Sequence, residues 1–200
     1  MQGMYSVIVF HKNLGQYPKD WITKFSGSIL NQTFQDFQIM ELNYGGGDER
    51  IFACSDFESI EMANHAEAMN YLIEKSFGLG YTHVFNTNVD DWYTLDRFEK
   101  QIQYKADVVS SNFSLVDEFT GGVYHTHKFD RLHIARELRS GHNVICHPVV
   151  MISKEWWKPY NPEDIPFEDL RAWQRGGNFV ILPDVLCFHR VHKKSVGHGG

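Results

Sequence analysis

The chain has 200 residues, of which 42% are hydrophobic and 22% charged, enough apolar side chain for one sizeable globular core. A formal net charge of −6 gives no sequence-independent attraction to nucleic acid or anionic lipid, so no nucleic-acid partner is expected. The cysteines Cys54, Cys146 and Cys187 are far apart and form no CxxC pair, which argues against a disulfide framework or a zinc ribbon and fits reduced thiols in a cytoplasmic or membrane-peripheral setting.

The opening "MQGMYSVIVFHKN" has no basic leader region and reads as the start of a strand. No stretch approaches the roughly 18 apolar residues of a membrane span. "YSVIVFH" (5–11) is a continuous β-branched run, the pattern of a buried parallel strand. "PKDWITKFSGSILNQ" (18–32) places Trp21, Ile22, Phe25, Ile29 and Leu30 on one helical face, with Pro18 suited to the first turn. "DFQIMELN" (36–43) reads as a second strand, and its end runs into "YGGGDE", where glycines permit close backbone approach. Strand, helix and strand in this order predict a right-handed βαβ unit.

Further along, 59–80 reads as a helix through about Ser76, stopped by Gly78 and Gly80. "THVFNTN" reads as the third main strand, and 95–105 as an amphipathic helix presenting Leu95, Phe98 and Ile102. "ADVVSSNFSLV", "GHNVICHPVVMISK" and "NFVILPDVLCFHRVH" supply further strands, with a short helix in "EDIPFEDLRAWQRGG". Without repeats or linkers, the expectation is one α/β domain with a mostly parallel mixed sheet flanked by helices. In open α/β sheets ligands sit outside the carboxyl ends of the strands. "HKN" (11–13), "NYGGG" (43–47), "NVDD" (88–91) and "HRVH" (189–192) all fall at such ends.

"NVDD" has two readings on residues alone. Asp is favourable at a helix start, and hard oxygen ligands two apart can share a divalent cation. "PFEDLRAWQR" (166–175) is equally open, since acids at its start and arginines near its end also stabilise a plain helix. The histidines of "HTH" (125–127), with His133, His142 and His147, lack the spacing of a structural zinc site and read as surface or packing residues. In "EWWKPY" (155–160), core packing is the expectation for one tryptophan, and aromatic faces also suit sugar rings.

"SILNQTFQDFQI" (28–39) resembles, nearly letter for letter, the S-[IV]-L-x-Q-[ST]-[YF]-x-[DN]-[FW]-E-I segment of family 2 glycosyltransferases. "AMNYLIEKSFG" (68–78) is similar to that family's A-R-N-x-G-I-x-x-A-x-G, "NVDD" to its metal-binding D-x-D-D, and 167–192 to its E-D-x-x-x-W-x-R…P…Y-R-x-H ending. The resemblance runs along nearly the whole chain in the family's order. It implies a GT-A, Rossmann-like single domain, with a nucleotide-binding half over about 1–92 and an acceptor half over about 93–200. It also implies an inverting hexosyltransferase using a nucleotide-diphosphate sugar, UDP favoured, a glycan acceptor, and Mn²⁺ or Mg²⁺.

By the same resemblance, Asn13 and the backbone of Phe10, His11 and Lys12, with Asn43 and Tyr44, should frame the base and ribose. Asp90, helped by Asn88, should hold the metal, with His192 reaching the diphosphate or the metal; Asp91 and Trp92 should face the donor sugar, and Arg190 should brace the loop at the cofactor site. Asp169, with Glu168 second, should be the general base. Three positions depart from the family pattern: Asn43 stands for an acid at the base-binding turn, Met69 for the Arg of A-R-N, and Asn88 for the first metal acid. These departures keep a second reading open, a catalytically weak or inactive sugar-nucleotide-binding module of a larger protein. A nucleotidyltransferase ranks below both, because "HKNLGQYPKD" lacks a glycine-rich basic phosphate loop.

Overall fold

A computed structural model describes residues 4–129 and 133–192. Its single mixed sheet is built on β1 (Tyr5–His11), where Ser6, Val7, Ile8 and Val9 are completely buried. β1 pairs in parallel with β2 (Phe37–Asn43) on one side and β4 (His83–Asn86) on the other, and β2 pairs in parallel with β3 (Asp56–Ser59). Beyond β4 come β8 (Met151–Ser153), antiparallel, then β6 (Val108–Asp117), β9 (Phe179–Val191) and the short β5 (Trp92–Tyr93). β7 (Val123–His127) folds back on β6 as a hairpin, and β6 and β9 run parallel along most of their length.

Strand alternation divides the core into two clusters. Ile8, Met40 and Leu42 pack under α2 (His65–Gly78), through Met69, Leu72 and Ile73. Val7 and Val9 point the other way, to Phe25 and Ile29 of α1 (Lys19–Leu30) and to Phe85 and Phe98. Of the apolar face read from 18–32, Trp21, Phe25 and Ile29 pack, while Leu30 is 48% exposed. The second helix starts later than its sequence suggests. Residues 56–59 add β3 to the sheet edge, and α2 begins after Asn64, whose side chain accepts from the Glu67 backbone N–H at 3.0 Å.

Residues 95–105 give a helix of five residues only, α3 (Arg97–Gln101), with a different inward face. Leu95 is 50% exposed, while Arg97 and Gln101 are fully buried beside Phe98. Arg97 Nη2 donates to the carbonyls of Asn86 (2.7 Å) and Val150 (3.3 Å), Nε donates to Gln101 Oε1 (2.9 Å), and the guanidinium lies 4.3 Å from the Tyr93 ring centroid. Gln101 in turn donates to the Val109 and Val149 carbonyls. This polar knot joins α3 to the ends of β4 and β6 and to the segment before β8. The stretch 141–154 holds a 3₁₀ turn at His147–Val149, and strand pairing is confined to Met151–Ser153. α4 (Ile134–Arg139) and α5 (Glu168–Trp173) lie on the α2 side of the sheet through Leu138 and Trp173.

Replacing Arg97 with Met should leave buried carbonyls without their donor, each worth about 1–3 kcal/mol. Urea unfolding should therefore show a loss of at least ~2 kcal/mol, a size that an exposed arginine on an amphipathic helix would not give.

Candidate active site

One cavity of about 1090 Å³ opens at the carboxyl ends of β1, β2 and β4. β1 lies between β2 and β4, so the cavity sits where the strand order reverses, the usual ligand crevice of such sheets. Phe10 ends β1 in its wall and Tyr44 follows β2, their ring centroids 6.5 Å apart. Asn88 and Asp90 enter from beyond β4, Met69 and His65 from α2, and Glu168 and Asp169 from the first turn of α5. Phe113 of β6 and His127 of β7, stacked at 4.5 Å, form another part of the wall. The sheet thus brings Phe10, Tyr44, Asn88, Asp90, His192, Glu168 and Asp169 of the expected set into one space.

The two adjacent carboxylates after β4 have separate fates. Asp90 lines the cavity, its Oδ2 2.8 Å from His192 Nε2. Asp91 points inward and is 1% exposed. Its Oδ1 accepts from the Arg190 backbone N–H at 2.9 Å and lies 3.0 Å from His189 Nδ1. Burial pushes the Asp91 carboxyl up, and the His189 charge opposes that. Burial alone would lower His189, but the Asp91 charge and hydrogen bond outweigh it and lift the imidazole to about 10. Asp91 therefore fastens β9 to the end of β4, and the expectation that it faces a donor sugar is corrected.

Several other expected contacts turn away from the cavity. Trp92 stacks on Phe188 at 5.2 Å with Lys24 Nζ 3.5 Å from its ring centroid, and Arg190 lies 4.0 Å from the Trp21 ring centroid. Arg190 is 5% exposed, so it braces Trp21 and Trp92 within the fold. His11, of which only the backbone was expected at the base, has its side chain buried against Glu41 at 3.2 Å. Asn43 turns its Oδ1 to the Gly45 N–H (3.0 Å), and Asn13 turns its own to the Gly15 N–H (2.8 Å), so both amides organise loops. Lys12 is exposed, and its carbonyl comes so near Gly45 that a Cβ there would stand 2.2 Å from the oxygen. The glycine is needed for the approach of one strand-end loop to another.

Two wall residues had no signal in the sequence. Tyr17 has its phenol pushed up by burial, with Asp90 adding to the effect, and so stays a protonated donor. His65 is joined at 2.7 Å to Glu168, 103 positions away along the chain. Among the histidines read as packing residues, His147 meets the Tyr160 hydroxyl at 3.0 Å. Of the "EWWKPY" pair, Trp156 stacks on Trp173 at 5.5 Å and Trp157 packs edge-on to Tyr160 at 5.1 Å.

Asp90, His192 and Asn88 offer a carboxylate, an imidazole and an amide, a donor set that suits Mn²⁺ or Mg²⁺ when phosphate and water complete the shell. Among the described residues no group of three or more His, Cys, Asp or Glu converges on one point, so any cation here leans on its ligand for most of its coordination. No helix among them is long and apolar enough to cross a membrane.

No family model and no curated protein matches the sequence. Solved structures do match. S. aureus TarS 1–349 in complex with UDP is 15% identical, with TM-score 0.66 over 94% of this chain and 60% of that one. The same protein in complex with UDP-GlcNAc gives 14% identity and TM-score 0.67 over 98% and 61%. The mannosyltransferase PcManGT from Pyrobaculum calidifontis, in complex with GDP-Man and Mn²⁺, gives 14% and 0.67 over 98% and 59%. The chain spans about three fifths of the length of these structures. At such identities the likeness establishes architecture: this chain has a GT-A-like glycosyltransferase fold.

Proposed function

We propose that the protein is a nucleotide-sugar-dependent, inverting glycosyltransferase that moves a hexose from a UDP-sugar to a glycan hydroxyl. The observation that carries this reading is the opening of Asp90 and Asp169, which come from opposite halves of the chain, into one cavity beside Phe10 and Tyr44. The fold is also shared with proteins whose structures hold UDP, UDP-GlcNAc or GDP-Man.

In this mechanism Phe10 and Tyr44 flank the base and ribose, and Tyr17 offers its phenolic proton to the phosphate end. Asp90, with Asn88 and His192, would hold the divalent ion. When bound, that ion supplies positive charge against the departing diphosphate. Asp169 accepts the proton of the attacking hydroxyl as the acceptor oxygen bonds to the anomeric carbon from the face opposite the diphosphate. Asn143 Nδ2, donating to Asp169 Oδ2 at 2.7 Å, keeps that carboxylate in place.

A second reading, a sugar-nucleotide-binding module with little turnover, draws on Met69. It stands in the cavity wall, 1% exposed, where the family resemblance places an arginine, so one polar contact to the nucleotide is missing. Incubation with UDP-, GDP- and dTDP-sugars plus Mn²⁺ separates the two, because binding without any turnover supports only the module.

Asp90→Ala should lower metal-dependent donor turnover by more than about 100-fold, beyond the usual cost of losing an outer-shell metal partner. Full activity in that variant would remove Asp90 from the metal site. Asp169→Asn should keep donor affinity and lose about 10²–10⁴-fold in transfer rate, the range of a lost general base. Unchanged transfer would assign the base elsewhere.

A further inference from the structure

One wall of the cavity is a face of the β6–β7 hairpin. Residues two apart on a strand share a face, and Phe113 and Leu115 of β6 both line the cavity. His127 stands opposite Phe113 in the ladder and stacks on it, the ring centroids 4.5 Å apart and the planes at 17°. Phe129 lies 5.9 Å from each of these two rings. The inner end of this strip is Phe113, whose ring stands edge-on to His189, the partner of Asp91, at 6.2 Å. Its outer end is Phe119, 82% exposed and still part of the cavity wall. The turn carrying Phe119 is held in place, because Asp117 Oδ1 accepts from the Phe119 and Thr120 backbone N–H groups at 3.1 and 2.8 Å. From Phe113 to Asp117 the strand advances about 13 Å, at roughly 3.3 Å per residue, which is longer than one pyranose ring.

We propose that the acceptor is an oligosaccharide that lies along this strip, with a sugar beyond the attacked one stacked on the hairpin and the chain leaving past Phe119. This inference rests on the transferase reading. A single exposed phenylalanine needs no ligand to explain it, but Phe119 ends a continuous row that begins at the site. The cavity, about 1090 Å³, exceeds the ~300–1,000 Å³ of ordinary small-ligand clefts, so it has room for more than a donor. A donor sugar is tied to its diphosphate inside, whereas an acceptor chain must run out to solvent. The wall chemistry favours a glycan over a lipid carrier. Aromatic faces suit the C–H face of a sugar ring, and the Glu118 carboxylate beside them can accept from its hydroxyls. A prenyl chain would press hydrocarbon against that carboxylate, a costly burial.

The test uses the whole chain with UDP and Mg²⁺ present. It titrates cellotetraose, chitotetraose and β-1,4-mannotetraose, each against the methyl glycoside of its own sugar, with saturation-transfer NMR that irradiates the aromatic protons of the protein. At least one tetramer should bind about tenfold more tightly than its methyl glycoside and receive saturation at its C–H protons. Phe119→Ala should weaken that tetramer about three- to tenfold, the effect of one lost ring contact, and leave the methyl glycoside as it was. Phe119→Trp should keep the tetramer affinity. No tetramer binding, equal affinity for tetramer and methyl glycoside, or an equal loss of both in Phe119→Ala would overturn the inference. Tighter binding of farnesyl monophosphate than of any tetramer would also overturn it and assign the strip to a prenyl chain. If UDP binds while the glycans fail, the inference falls alone. Absence of UDP binding by the unaltered protein would instead overturn the transferase reading, and the acceptor role with it.

Discussion

Asp90 and Asp91 are neighbours in the turn after β4, and each is met by a histidine from the carboxyl end of β9: His189 on the strand for Asp91 and His192, just past it, for Asp90. Two adjacent carboxylates would repel each other if both faced the same space. Here the backbone turns them apart. Asp91 is spent on the fold, pinning β9 through a buried charge pair and a backbone N–H, which leaves Asp90 at the cavity. The two strands are far apart in sequence, so this pairing closes the half of the sheet that begins with β6 onto the half that begins with β1.

The rest of the cavity is set by which strand ends stop where. β1 and β2 end in the same layer, and Gly45 lets their loops touch. That contact sets Tyr44 near Phe10 in the wall. The α3 knot of Arg97 and Gln101 acts from below, tying carbonyls of the β4, β6 and pre-β8 segments together through buried donors. A buried guanidinium with good partners costs little while they remain, and much once one is removed.

Much of the parallel half was legible because its signals are local. The β-branched run of β1 and the apolar stripe of α1 are visible in any window. β3 was not, since three half-buried residues and an exposed Ser59 carry no period of their own. α3 misled because its charged residue is the inward one, and only partners distant in sequence make burying Arg97 tolerable. Motif order did anticipate that Asp90 and Asp169 share one cavity wall. Asp91, Trp92, Asn43 and Arg190 carry the same motifs but serve the fold, because neighbouring residues point to opposite sides and sequence does not say which side holds the ligand. His65 and Tyr17 have no local pattern, and their place in the wall comes from tertiary contact alone.

The departures from the family pattern bear on affinity. Met69 and Asn88 both stand in the cavity wall, so under the proposed function a nucleotide would meet fewer charged groups there and lean more on a cation that Asp90 and His192 would hold. The most direct measurement is a calorimetric titration of the protein with UDP, in Mn²⁺ and again in EDTA. The account predicts binding in Mn²⁺ that weakens at least tenfold on chelation. UDP binding of equal strength in both buffers, or none in either, would contradict it.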